Sequence, residues 1–490
     1  MKSGFRFLLL VFVAILISGC SSVGSYKSSS VYDEPLVGEI TKKSISYEGI
    51  ERNPVIVIPG FLGSKLIDST TGETVWGKFS GKDSIMGLSR WLSKERIRSL
   101  SLPIETEKHL RQLKDAVVST VPLDRIKVKL LGFSFHLHAY QDMLEALRFG
   151  GYYDQAYESH KERKYDTCFQ FGYDWRRDLV ENTQRLDEFI KYKKLYMQSK
   201  YEELYGIKDY DVQFDIVAHS MGGLLTRYYL RYGAQDLPSD GTLPKLTWEG
   251  SKHIDKVIII GTPNAGYLDS LVELVKGLKV ARGVPTYQPV LVGTFPSMYQ
   301  MLPLTRNKAV VSKNSEDDVL DVFDPELWIR MKWGLADPGQ DKILKIILPD
   351  VKDKEKRREI AINYLRTCLR RARQFTDSLM VDAVPPNDVA LHLFLGNAVE
   401  TSEVACVDEC SGDIEIIKYG PGDGKVLSTS ALMDERVGNK WVPFIQSPIK
   451  WSSVTFLFAA HMGITKDPVF FANMLYILLG SQTKTQSSAG

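Results

Sequence analysis

The sequence predicts an α/β fold: a mostly parallel central sheet with helices on both faces and an inserted cap or lid region. Three observations carry this. Short apolar runs, Val55–Ile58, Val212–Val217 and Lys256–Ile260, read as strands buried on both faces. Longer stretches of helical period lie between them. The strand–helix–strand rhythm then lapses between residues 267 and 380 and resumes with DVALHLFL at 388–395, which marks an insertion.

A chain of 490 residues suits one large domain with insertions, or a core domain plus a cap. The apolar share of 44%, the charged share of 25% and a net charge of +2 are ordinary for a globular protein and give no electrostatic footprint for nucleic acid. There is no HExxH, no paired CxxC and no Cys/His cluster, so neither a metal nor any other cofactor is expected. No obligate protein partner is indicated, and there are no internal repeats.

The elements follow in order. Lys2 and Arg6 precede the apolar run FLLLVFVAILI and then Ile17-Ser18-Gly19-Cys20, the pattern of a secretory signal over residues 1–19. ISGC resembles the lipobox of bacterial lipoproteins, with Ile in the usual Leu position. That resemblance implies cleavage before Cys20, lipid on its thiol and amine, and anchoring in the cell envelope. Ser21 after the lipidated cysteine favours the outer membrane. The alternatives are a plain signal peptide or an uncleaved anchor. Residues 20–50, rich in Ser, Tyr and Lys, read as a lipidated tether. Residues 51–266 form the first part of the core, with a lid loop at about 70–115. Helices are expected near WLSKERIRSL, over HAYQDMLEALRF (138–149) and over the stretch from Glu181 onward. Residues 267–380 are the cap. Residues 381–480 complete the core, with DIEIIKYG as one more strand of the sheet, and 481–490 form a disordered tail. Besides Cys20 there are Cys168, Cys368, Cys406 and Cys410. The last two are close in sequence and are expected to pair, while the first two are either a pair or two buried thiols.

The chemistry centres on Ala218-His219-Ser220-Met221-Gly222, a G-x-S-x-G elbow with Ala in the first position, between a strand and a helix. Small neighbours allow the strained turn that exposes a nucleophilic Ser220. The same turn puts the Met221 N–H at a helix start, where negative charge is favoured. His219 adjoins the nucleophile but points away from it, and reads as a packed, hydrogen-bonded core residue. His109, His136, His138, His160, His253 and His392 read as structural or surface residues. The acid and base of such a triad come later in the chain. Asp423, in Gly420-Pro421-Gly422-Asp423-Gly424, and His461 supply them, in preference to Asp434 or Glu435. The second oxyanion donor is expected in Pro59-Gly60-Phe61-Leu62-Gly63, with the Phe61 N–H favoured and Leu62 the alternative. The fold is then of the α/β-hydrolase type.

VIVIPGFLGSKL, YDWR at Tyr173–Arg176, VAHSMGG, GTPNAG, GDGKV and the late His461 together resemble the lecithin:cholesterol acyltransferase family. The resemblance implies hydrolysis or transfer of a fatty acyl group from a glycerolipid through an acyl-serine, under a mobile lid. Membrane lipids would then be both substrate and anchor. Trp76 falls where the family carries lid and substrate-contacting residues, as does Leu62; the alternative for Trp76 is packing under the oxyanion loop. Asp174 and Arg176 look like a buried pair that orients loops near the triad. One departure is Lys425, where the family pattern GDGTV has Thr. Other readings are an esterase or thioesterase on a non-lipid acyl substrate, and a non-catalytic surface lipoprotein with the same fold.

Overall fold

Among the described residues, six strands pair in parallel at the centre of the molecule, mostly buried except for the edge strand Ser453–Leu457. They are β1 (Val55–Ile58), β2 (Cys168–Gln170), β3 (Phe214–His219), β4 (Ile254–Ile260), β5 (Ala390–Gly396) and β6 (Ser453–Leu457), in the order β6-β5-β4-β3-β1-β2. This computed structural model describes residues 49–50, 52–77, 93–104, 110–122, 125–130, 133–138, 140–154, 164–280, 286–386, 389–433 and 447–480. The signal segment, Cys20, nearly all of the tether, much of the expected lid loop, His109, His160, Asp434, Glu435 and the 481–490 tail lie outside them. Among the described residues, no helix is long and apolar enough to cross a membrane.

The continuous apolar runs have a simple cause. Successive side chains point to opposite faces of a strand, and here both faces are covered. Ile56, Ile58, Ile216, Ala218, Val257 and Ile259 enter one core. Val55, Val57, Val217, Ile258, Ile260 and Phe394 enter a second core on the other face. Helices α1 (Gln141–Phe149) and α6 (Pro468–Leu479) cover the second core with Met143, Leu147, Phe470 and Met474. Helices α2 (Leu179–Tyr205) and α3 (Met221–Tyr232) cover the first. Helix α2 starts where the Asp178 carboxylate accepts from the Val180 N–H, and ends at Gly206 with φ +69°.

The segment between 267 and 380 holds α4 (Leu268–Lys276), several short helices and α5 (Lys354–Met380). Leu365, Leu369, Ala372 and Phe375 join α5 to the first core. Its Arg371 pairs with Asp178 and Asp236. Val310–Ser312 pairs with Val399–Val407, so this segment shares a sheet with the chain that follows it. Among the described residues that second sheet has four strands, ordered Ser315–Val319, Val310–Ser312, Val399–Val407 and Ile414–Gly422.

Two expectations are corrected here. The DIEIIKYG run does not extend the central sheet; it is the edge strand Ile414–Gly422 of the second sheet. Glu415, Ile417, Lys418 and Tyr419 are exposed along it, which fits a solvated edge strand and not a strand covered on both faces. Cys406 and Cys410 are not bonded; both are free thiols. Cys406 is held in a strand opposite Glu415, while Cys410 sits in a turn where its N–H donates to Asp408. Cys168 and Cys368 are also free, and belong to cores on opposite faces of the sheet.

One buried carboxyl gives the fold a pH signature. Asp215, on β3, accepts from Asn53 and from the Lys256 N–H. Burial pushes its carboxyl up to about 6, with Lys256 opposing and Asp255 adding. A value raised in the folded state means that the folded chain binds this proton more tightly than the unfolded chain. The stability it contributes is complete below the ordinary value of 3.8 and is lost as pH rises to about 6. The melting-temperature advantage of wild type over Asp215→Asn should therefore shrink between pH 4 and pH 7. An advantage that grows over that range contradicts the assignment.

Candidate active site

Strand β3 runs straight into Ser220, whose backbone sits at φ 54° and ψ −126°. A β-carbon is strained there, at a cost of about 1–3 kcal/mol. The surroundings hold it. The Ser220 N–H donates to Ile260 O at 2.7 Å, and Ser220 O accepts from Thr262 Oγ1 at 2.7 Å and from the Gly223 N–H at 2.9 Å. The turn also brings α3 against β1: a β-carbon on Gly222 would lie 2.5 Å from Pro59 O. Met221 is the first residue of α3, so its N–H has no acceptor within the helix.

His461 follows β6, and its Nε2 lies 3.0 Å from Ser220 Oγ. Its Nδ1 is 2.7 Å from Asp423 Oδ2. A carboxylate only accepts, so the proton is on Nδ1 and Nε2 is free to take the serine proton. Asp423 comes from the end of the second sheet, not from the central one, and packs against Gly261 and Gly396 at the ends of β4 and β5. Burial alone would raise its pKa. The charge and hydrogen bond of His461, with the Val426 and Lys425 N–H groups on Oδ1, overcome this and hold it below the ordinary value. Lys425 extends its ammonium to Asp269 (3.2 Å) and Glu273 (3.0 Å), and so ties the acid's loop to α4.

The Pro59–Gly63 segment turns back on itself, with Gly63 N–H donating to Gly60 O at 3.0 Å. Leu62 in this turn has φ +62°. A β-carbon on Gly60 would lie only 2.8 Å from Ser220 Cβ, so the absence of a side chain lets the Phe61 peptide reach the nucleophile. Aromatic residues support the loop. Trp175 meets Phe61 and Trp76 edge-on at 5.1 and 5.3 Å. The Tyr173 hydroxyl donates to Pro59 O at 2.8 Å, and Trp76 Nε1 donates to Leu62 O at 2.9 Å. Trp76 is 1% exposed and packs beneath the loop. Asp174 and Arg176 are both fully buried. The guanidinium bridges both carboxylate oxygens and reaches Asp115 and the Leu100 carbonyl. Within YDWR, the carboxylate and guanidinium drew attention by their charge. The loop contacts belong to Tyr173 and Trp175, which the motif contains but whose direction only the fold reveals.

His219 is 2% exposed and lies with its ring centroid 4.8 Å from that of His461, pointing away from the Ser220 hydroxyl. His253 and His392 lie away from the triad, near Lys194 and Ser453 respectively.

The motif and the geometry agree with the comparisons. A family model described as lecithin:cholesterol acyltransferase matches residues 140–333, which includes the elbow. A protein of Canis lupus familiaris named lysosomal phospholipase A and acyltransferase is 24% identical over 390 residues, covering 78% of this chain and 82% of that one. Over residues 140–333 the chain resembles the lecithin:cholesterol acyltransferase family. These similarities support an acyltransferase or ester hydrolase. The solved structure titled "The crystal structure of Tle4-Tli4 complex" shares the fold, with a TM-score of 0.50 and 13% identity over 88% of this chain and 99% of that chain. The mature form of Bacillus licheniformis lipase BlEst2 overlaps at a TM-score of 0.33 and 11% identity, over 88% of this chain and 94% of that one. Against the family pattern GDGTV, the Lys425 departure leaves the Asp423–His461 contact intact and adds the link to α4.

The Gly60 contact is directly testable. Gly60→Ala should displace the loop from Ser220 and lower kcat on a soluble aryl ester by about 100-fold, the scale of one lost oxyanion donor. A loss under threefold in a folded variant contradicts the close approach.

Proposed function

We propose that this protein is a serine-dependent lipid acyl hydrolase or O-acyltransferase that acts on glycerophospholipid or related acyl esters through an acyl-serine intermediate. The observation that carries the reading is the unbroken line Ser220 Oγ–His461–Asp423 at the carboxyl edge of the sheet, 3.0 and 2.7 Å per step. Ser220 attacks the ester carbonyl while His461 Nε2 takes its proton. The imidazolium is held by Asp423. The Met221 and Phe61 N–H groups receive the oxyanion. His461 then returns the proton to the leaving alcohol, and an acyl-serine remains. In the second half, water or an acceptor hydroxyl loses its proton to His461 as it attacks the acyl carbonyl, and His461 returns that proton to the departing Ser220 Oγ. Both outcomes use one set of groups, so the division between them rests on how dry the acceptor side is.

The lipid class is supported by the family match over residues 140–333 and by the canine relative named as a phospholipase A and acyltransferase. The amino-terminal pattern extends the reading: an enzyme tethered through a lipidated Cys20, in the outer membrane, is kept beside an insoluble substrate. Mass analysis of the membrane-extracted protein should show a lipid adduct on the Cys20 peptide that disappears in Cys20→Ser. An unmodified Cys20 would refute the anchor.

The mature domain should be incubated with phosphatidylcholine vesicles, with and without a long-chain alcohol. The expected products are free fatty acid alone for a hydrolase, or a new ester as well for a transferase. Ser220→Ala should abolish both, with a loss of at least about 10⁴-fold. Equal turnover in wild type and Ser220→Ala overturns the assignment.

A further inference from the structure

We infer that Tyr140 and His219 form a positioning relay that fixes the oxyanion loop relative to the catalytic base; the inference rests on the Ser220–His461–Asp423 reading above. Four groups stand in one buried line. The Gly60 N–H donates to the Tyr140 hydroxyl at 2.8 Å. That hydroxyl is 3.0 Å from His219 Nδ1, and His219 Nε2 is 3.3 Å from the His461 carbonyl oxygen. Tyr140 and His219 are each 2% exposed.

The polarity of the line is fixed by its ends. A carbonyl oxygen only accepts, so His219 Nε2 carries the hydrogen. The neutral ring then offers Nδ1 as an acceptor, and the Tyr140 O–H must donate to it. The phenol oxygen is left with its lone pairs toward the Gly60 N–H, which only donates. One arrangement therefore satisfies all three bonds. Burial, together with the neighbouring His461, lowers His219 to about 3, so the ring stays neutral; burial also drives the Tyr140 hydroxyl well above its ordinary range, so it keeps its proton.

Its two ends are what make the relay functional. At one end, Gly60 is the residue before the Phe61 N–H, and orienting its amide orients the peptide that follows. Gly63 closes the turn around the same phenol: a β-carbon there would lie 3.1 Å from Tyr140 Oη. At the other end is the backbone of His461, whose N–H is separately held by Asp423 O at 2.8 Å. His219 and the nucleophile are adjacent in sequence, so the elbow that raises Ser220 aims its neighbour into the relay. Tyr140 and His219 touch no reacting atom; they act through the loop and the base.

The test uses Tyr140→Phe, with rates for an acyl ester and for the matching thionoester, in which sulfur replaces the carbonyl oxygen. Sulfur is larger and accepts hydrogen bonds weakly, so a site with aligned N–H donors favours the oxygen ester. For Tyr140→Phe, kcat on the ester should fall by about 10- to 100-fold, with KM within about twofold. The ester/thionoester ratio should fall with it. His219→Gln, which keeps a donor for the His461 carbonyl, should lower the ratio likewise, and the double variant should be no worse than the more impaired single one. An unchanged kcat, a lower kcat at an unchanged ratio, or loss of folding in both single variants overturns the relay. Fluorophosphonate labelling separates the two readings. If wild-type Ser220 is neither labelled nor needed for turnover, the triad assignment fails. If wild type is labelled and active while Tyr140→Phe keeps its ester preference, only the relay fails.

Discussion

The site depends on one backbone constraint, the positive φ of Ser220. An L-residue adopts it only when its surroundings leave no alternative. Here Ile260 O fixes the Ser220 N–H, Thr262 fixes its carbonyl, and Gly60 and Gly222 let two other backbones approach to distances that a side chain would forbid. Everything else about the chemistry is downstream. The turn points Oγ at His461, sends His219 the other way, and starts the helix at Met221.

The supporting layer is aromatic and ionic. Tyr173, Trp175 and Trp76 hold the oxyanion loop from below, and Asp174 with Arg176 holds the segment that carries two of them. Burial opposes the ionisation of Asp174, and the adjacent guanidinium more than offsets this and keeps its pKa below the ordinary value. Removing one partner of such a pair leaves an uncompensated buried charge, at a cost of about 3–5 kcal/mol. That is comparable to the whole contribution of an oxyanion donor. The geometry of the loop and the stability of the domain are therefore linked through the same residues.

Much of this was legible in the sequence, for identifiable reasons. The central strands announced themselves because burial on both faces demands unbroken apolar runs. The elbow did so because its strain demands small residues at fixed positions, and Ser220, Asp423 and His461 come in the expected order. Less was legible where the signal is tertiary. Ile414–Gly422 is a strand, as its pattern says, but no local pattern says which sheet it joins. Cys406 and Cys410 are near each other in sequence, yet strand pairing sends their side chains into different settings. Tyr140 carries no motif at all; its importance lies in meeting His219 across 79 positions of chain.

The proposed mechanism places the acyl group on Ser220. The direct measurement is to mix the enzyme with an acyl ester whose second half-reaction is slow, quench in acid, and map the modified peptide by mass spectrometry. A mass increase of one acyl group is expected on Ser220, and it should disappear as product forms. Turnover with the acyl group on another residue, or with no adduct and full activity in Ser220→Ala, would contradict that mechanism.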